Sequence, residues 1–134
     1  MITVSGGTKG QRNYTFDLAT FVCRKYNVFP DIDIAISRTD RGSLGGIIQA
    51  DDSEYEIDIQ RDLPLRDFCI TLAHELIHMT QYEQGTLTQI NEKGIPYWDK
   101  PSEIAAHQQE TVLFEEWINV NNLNKLKWTQ SNVT

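Results

Sequence analysis

No apolar run in the chain approaches the roughly 18 residues that a membrane-spanning helix needs, so no membrane partner is expected. Positive charge is also scarce. Lys and Arg number 12 against 19 Asp and Glu, a formal net charge of -7. A surface that holds nucleic-acid phosphates needs clustered cations, and this balance argues against one. Cysteine is confined to Cys23 and Cys69, in apparently helical stretches with no motif spacing, too few for a zinc ribbon. The expectation is two reduced, buried thiols in a cytoplasmic protein. Met1 to Gly10 is polar and glycine-rich, unlike a secretory signal. There are no internal repeats and no low-complexity tracts.

What is present fits one domain over residues 1–134. At 134 residues, 40 % of them hydrophobic and 23 % charged, the chain is long enough for one real core and too short for two. Residues 1–13 contain Gly6, Gly7 and Gly10 and read as a loose lead-in. Leu18, Ala19, Val22, Cys23 and Tyr26 recur at helical spacing over 14–26. Asn27 to Pro30 breaks that helix. Asp31 to Ser37 alternates strictly, as a half-buried strand does, and Thr39 to Gly42 reads as a turn. Leu44 to Ala50 is a second apolar run, interrupted by Gly45 and Gly46, and Glu54 to Gln60 alternates again. Short connections favour a small antiparallel sheet of three strands. Pro64 opens a helix that runs to about Gln84, with Gly85 placed to cap it. Residues 86–100 lack a period and read as loop; Pro101 starts a last helix reaching about Asn119, and 122–134 form a tail that packs briefly and frays. The expected class is α+β: N-terminal helix, three-stranded sheet, central helix, loop, C-terminal helix.

The central helix carries the most specific signal, His74-Glu75-Leu76-Ile77-His78. Residues four apart lie on one helical face, so His74 and His78 can offer two imidazoles to one metal ion. Zinc suits neutral imidazole ligands, and three protein ligands leave a fourth position for water. Glu75, next to His74, can reach that water as a general base. A five-residue pattern also arises by chance in unrelated helices. Here Phe68, Leu72, Ala73, Leu76, Ile77 and Met79 demand burial, and two histidines and a glutamate on a buried helix are costly unless something satisfies them.

A third ligand is sought in the last helix, where Glu103, His107 and Glu110 share one face and Ala106 is small enough for a second helix to approach closely. Glu103 is the preferred candidate and His107 the rival. An acidic residue in a first helical turn also favours the helix dipole with no metal at all, and three ionisable residues on one stripe suit a solvated face. Tyr97, in the loop before Glu103, is a candidate oxyanion donor or simply a packing residue. Gln81, one turn past His78, is a candidate to orient a ligand from behind.

These residues carry a resemblance. His74-Glu75-Leu76-Ile77-His78 followed by a downstream helical glutamate resembles the gluzincin branch of the zincin metallopeptidases. The series His-Glu-Leu-Ile-His-x-x-Gln, a Tyr-Trp loop and Pro-x-Glu-x-x-Ala, from about Pro64 to Trp117, is similar to small zincin-like peptidases of phages and bacteria. The resemblance implies His74, His78 and Glu103 as zinc ligands, Glu75 as base, and an active-site helix packed under a small antiparallel sheet. The chain departs from the larger gluzincins in lacking their Asn-Glu-x-x-Ser-Asp pattern, and has Ala105 where some small relatives carry a second acidic residue.

The expected activity is therefore that of a zinc metalloendopeptidase acting on a peptide or protein substrate, with Zn2+ as cofactor, Glu75 and Tyr97 as catalytic groups, and one strand among residues 44–60 offering an edge for an extended substrate. Two alternatives stand beside it: a zinc-binding interaction protein without turnover, and a DNA-associated protease of the SprT-like kind, which places a third histidine downstream and would favour His107.

Overall fold

The computed structural model describes residues 1–38 and 43–131; the turn expected at Thr39 to Gly42 and the last three residues lie outside that range. Strands β1 (Ile2–Gly6), β2 (Asp31–Ser37), β3 (Gly45–Asp51) and β4 (Glu54–Gln60) form one sheet in the order β1-β2-β4-β3. Helices α1 (Lys9–Tyr26), α2 (Leu65–Glu83) and α3 (Pro101–Val120) complete an α+β fold, with short 3-10 turns at Tyr97–Asp99 and Lys127–Thr129.

The alternation in β2 and β4 decides which way the sheet faces. Ile32, Ile34 and Ile36 of β2 and Tyr55, Ile57 and Ile59 of β4 point to one side and are all buried. In register with them, Asp31, Asp33, Glu54, Glu56 and Asp58 point to the other side and are exposed. Each fully buried aliphatic side chain contributes about 1.5–3 kcal/mol, so only one orientation of these strands is stable. The buried face shares one core cluster with Leu18, Ala19 and Val22 of α1, Phe68, Leu72, Leu76 and Met79 of α2, and Leu113, Phe114 and Trp117 of α3.

Two expectations need correction. Among the described residues the sheet has four strands, not three, and it is mixed. β1 and β2 are parallel, β2 and β4 are parallel, and only β3 runs antiparallel, against β4. A three-stranded meander would seat β3 next to β2; instead β4 occupies that place and β3 becomes the edge. Second, residues 1–13 are not a loose lead-in. Ile2–Gly6 is β1, and α1 begins at Lys9. Gly6 has φ +78°, and a Cβ there would lie 2.0 Å from the Ile36 carbonyl oxygen, so glycine lets the end of β1 close onto β2. Thr8 then caps α1: its hydroxyl accepts from the Gln11 N–H at 3.1 Å, and the Gln11 side chain accepts from the Thr8 N–H at 2.9 Å.

Within the described residues the tail packs back on the molecule. Leu123 and Trp128 pack on the core, and the Thr129 hydroxyl, buried, reaches the Leu123 and Leu126 carbonyls at 3.0 and 2.7 Å. Cys23 and Cys69 are both free thiols; Cys69 is buried and Cys23 half-buried. Among the described residues no helix is long and apolar enough to cross a membrane.

Candidate functional site

Every residue of α2 from Leu72 to Thr80 is buried, so its polar members are largely withdrawn from bulk solvent. The 3.6-residue repeat puts His74 and His78 on the side turned toward α3, while Leu72, Leu76 and Met79 join the core. Pro101 begins α3 and places Glu103 in its first turn. From there the carboxylate reaches both histidines.

Three donor atoms converge. Glu103 Oε1 lies 2.9 Å from His74 Nε2 and 3.0 Å from His78 Nε2, and the two imidazole nitrogens are 3.2 Å apart. Lone pairs of a carboxylate and two imidazoles repel unless a cation sits among them. With protons as that cation, His74 titrates high: burial lowers its pKa, but the hydrogen bond of Glu103 and the nearby carboxylates of Glu110 and Glu75 outweigh it, and the result is about 9. His78 is raised in the same way, its burial overcome by Glu103 and Gln81. Glu103 shows the reciprocal shift: burial opposes it, yet the two histidines hold the carboxyl well below the usual carboxylate range. The alternative cation is a metal. A tetrahedral zinc with bonds of about 2.0–2.1 Å separates its ligand atoms by roughly 3.3 Å. The observed spacings are close to that, and the donor set fits zinc.

Both histidines turn Nε2 to the centre, and each back nitrogen meets an oxygen. His78 Nδ1 lies 2.7 Å from Gln81 Oε1, and His74 Nδ1 lies 3.7 Å from Glu110 Oε1. Gln81, read from the sequence as a possible orienting group, does contact His78. Glu75 is also buried, and its side chain hydrogen-bonds to no described residue. Burial raises its carboxyl above the ordinary glutamate value, against the opposing pull of His78 and His74.

His107 lies close, with its ring 4.6 Å from that of His74, and one donor atom each from His74, Glu103 and His107 fall within 4.8 Å of one another. Both of its nitrogens are nevertheless engaged elsewhere. Nδ1 is 2.7 Å from Glu110 Oε1 and Nε2 is 3.0 Å from the Tyr97 hydroxyl, while Trp98 stacks on the ring at 5.1 Å. Tyr97 sits at the rim of the site. Burial first, and the nearby Glu103 carboxylate second, push its hydroxyl up to about 12, so it stays protonated at neutral pH.

These groups line a cleft of about 450 Å³, bounded by Gly45, Gly46 and Ile47 of β3, by His74, Glu75 and His78, and by Tyr97, Ser102 and Glu103. Gly45 allows β3 to form that wall. A Cβ there would meet Thr71 Cγ2 of α2 at 2.9 Å and the Asp58 carbonyl oxygen at 3.0 Å. The sequence reading missed two residues, Glu92 and Ser102. Glu92 is buried, and its carboxylate accepts from the Ser102 N–H at 2.9 Å and from the Ser102 hydroxyl at 2.5 Å. A serine one position after the helix-opening proline was a weak pointer to the helix start; nothing local marked Glu92 as its partner.

Set against protein-family models, curated proteins and solved structures, the chain matches none of them.

Proposed function

We propose that the chain is a zinc-dependent peptidase of the zincin type, with His74, His78 and Glu103 holding the ion. The observation that carries this reading is the convergence of the two Nε2 atoms and Glu103 Oε1 within 3.2 Å, beside Glu75 in one cleft. The engagement of both His107 nitrogens supports Glu103 over His107 as third ligand. The zincin layout is supported by a buried helix bearing both histidines, a ligand-bearing helix after it, and an antiparallel edge strand along the cleft.

When bound, zinc supplies a water whose pKa falls toward about 7 and polarises the carbonyl to be attacked. Glu75, buried beside the two histidines in the cleft, is placed to take a proton from the attacking water. It then releases the proton to the leaving amine. Tyr97, protonated at the rim and 3.0 Å from His107 Nε2, would turn its O–H from that nitrogen to donate to the oxyanion on the former carbonyl oxygen. β3 receives the substrate backbone. The Gly45 and Gln49 carbonyls both accept side-chain hydrogen bonds, from Ser43 and Gln89. Peptide groups two residues apart face the same edge of an antiparallel strand, so the N–H and C=O of Ile47, midway between them, face outward beside the cleft. The free thiols of Cys23 and Cys69 support a reducing, cytoplasmic setting.

The test combines metal and turnover. Protein prepared without chelator should contain about one zinc per chain and hydrolyse an unfolded protein substrate, and chelation should stop the hydrolysis. Glu75→Gln should keep the zinc and lose roughly 10²-fold or more in rate, as removal of a general base does. No metal by elemental analysis, and none taken up on titration, would sink the reading. Loss of zinc from Glu75→Gln would make Glu75 a ligand.

A further inference from the structure

We infer that Glu92 is a positioning residue for two of the three ligands, Glu103 directly through the helix start and His78 through Ser102 and Gln81. The inference rests on the reading of His74, His78 and Glu103 as a metal site. Glu92 belongs to the segment between α2 and α3, which carries no regular helix or strand around it. A buried carboxylate is costly unless it is hydrogen-bonded. That of Glu92 is paired with both donors of a single residue, the Ser102 N–H at 2.9 Å and the Ser102 hydroxyl at 2.5 Å. The first N–H groups of a helix have no partner inside it, and the positive end of the helix dipole favours an anion there. Glu92 therefore clamps the first turn of α3, and the residue after Ser102 in that turn is Glu103.

The same clamp reaches His78. The Ser102 carbonyl accepts from Gln81 Nε2 at 3.1 Å, and Gln81 Oε1 lies 2.7 Å from His78 Nδ1. A carbonyl only accepts, so Ser102 dictates which end of the Gln81 amide faces it: the NH2 must point to Ser102 and the oxygen to His78. An amide oxygen also only accepts, so His78 must carry its proton on Nδ1. That leaves the Nε2 lone pair free, and Nε2 is the atom facing His74 and Glu103. Glu92 sets where Ser102 lies, the Ser102 carbonyl sets which way the Gln81 amide faces, and the Gln81 oxygen sets the His78 tautomer. One residue outside the motif thus holds in place both the turn that bears Glu103 and the carbonyl that orients Gln81.

A simple helix cap would make a different prediction. It would change stability equally with and without metal, and would leave zinc affinity alone. The experiment measures zinc dissociation constants, by competition with a chromophoric chelator, for wild type, Glu92→Ala, Gln81→Met and the double variant. Melting without metal confirms that each is folded. Each single variant should bind zinc about 10–100-fold more weakly, the effect of losing a group that orients a ligand. Relative to wild type, the loss in the double variant should fall short of the product of the two single losses, because both break one series. Glu92→Gln, which keeps an oxygen for the Ser102 N–H, should recover part of the loss. If Glu92→Ala does not fold, Gln81→Met and Glu92→Gln carry the test. Single variants within twofold of wild type, or losses that multiply fully in the double, would overturn the inference while leaving the metal site standing. Absence of zinc binding by the wild type would remove the metal reading itself, and the inference with it.

Discussion

Helices α1 and α2 pack on each other and on the sheet, yet they bury different kinds of polar group; even the Thr15 hydroxyl, which finds no partner among the described residues, is neutral. α1 buries Gln11, Thr15, Leu18, Ala19 and Val22, none of them ionisable. Gln11 finds its partners within the protein, capping Thr8 and donating to the Arg61 carbonyl at 2.8 Å. α2 buries His74, Glu75 and His78 together, and these are not neutralised by pairing among themselves. The imidazoles and Glu103 need a cation among them, and Glu75 is left without a hydrogen-bond donor among the described residues. Protein interiors keep such groups at a cost in stability, and clusters of them with shifted pKa values concentrate where chemistry is done. The α1 side of the molecule holds the fold; the α2–α3 seam gathers the buried ionisable groups on which the proposed metal site rests.

If that division is real, damage on one side should not cross to the other. The largest effect on stability belongs to α1. Leu18 is fully buried, and Leu18→Ala should cost about 2–5 kcal/mol in denaturant unfolding, with the zinc affinity of the folded protein unchanged. A fall in affinity alongside the stability would break the comparison. On the α2–α3 seam, Glu103→Ala should weaken zinc binding by more than the roughly 100-fold upper range for a merely orienting group. His107→Ala should leave zinc bound and slow turnover, because its ring nitrogens face Tyr97 and Glu110. Competitive chelator titration decides it; if His107→Ala strips the metal and Glu103→Ala does not, the ligands are three histidines.

The smallest effect concerns the two thiols. Burial pushes Cys69 up to about 12, so at pH 8 almost none of it is thiolate, and it is also shielded by the core. Cys23 is half-buried; burial raises its thiol too, against the pull of the N-terminal ammonium. Iodoacetamide should therefore label Cys23 before Cys69 in the native protein, as peptide mass spectrometry would show, and label both equally once the chain is unfolded. Equal native rates would mean that the α2 side of the core opens as readily as the surface of α1.

Much of the secondary structure was legible because its signal is local. The alternation of Asp31–Ser37 and Glu54–Gln60 marks two strands at their observed bounds, and the apolar spacing around Leu18 marks α1. β1 was not legible. Ile2, Thr3 and Val4 are strand formers, but three such residues before Ser5 and Gly6 are too short a run to mark a strand alone, and Ile2–Gly6 becomes one because β2 is there to pair with it. The order of the sheet was hidden for the same reason. Whether β3 or β4 lies beside β2 depends on how the isoleucine faces meet α1 and α2, which no short window contains. In the site, Gln81 stood out as one helical turn past His78, whereas Glu92 and Ser102 did not, since their meaning lies in a contact across a loop without periodicity.

What the sequence determined by itself is the pair of histidines and the glutamate beside them. Helical geometry fixes their common face within a single turn, whatever the rest of the chain does. It also determined that this helix must be buried. Tertiary structure alone decided what meets that face: Glu103 converging on both Nε2 atoms, His107 turned aside to Tyr97 and Glu110, β3 brought to the cleft by Gly45, and Glu92 anchoring the turn that bears Glu103. The physical reason is range. Backbone geometry acts over four residues, while donor atoms from separate elements come within hydrogen-bonding distance only when a shared core holds those elements together.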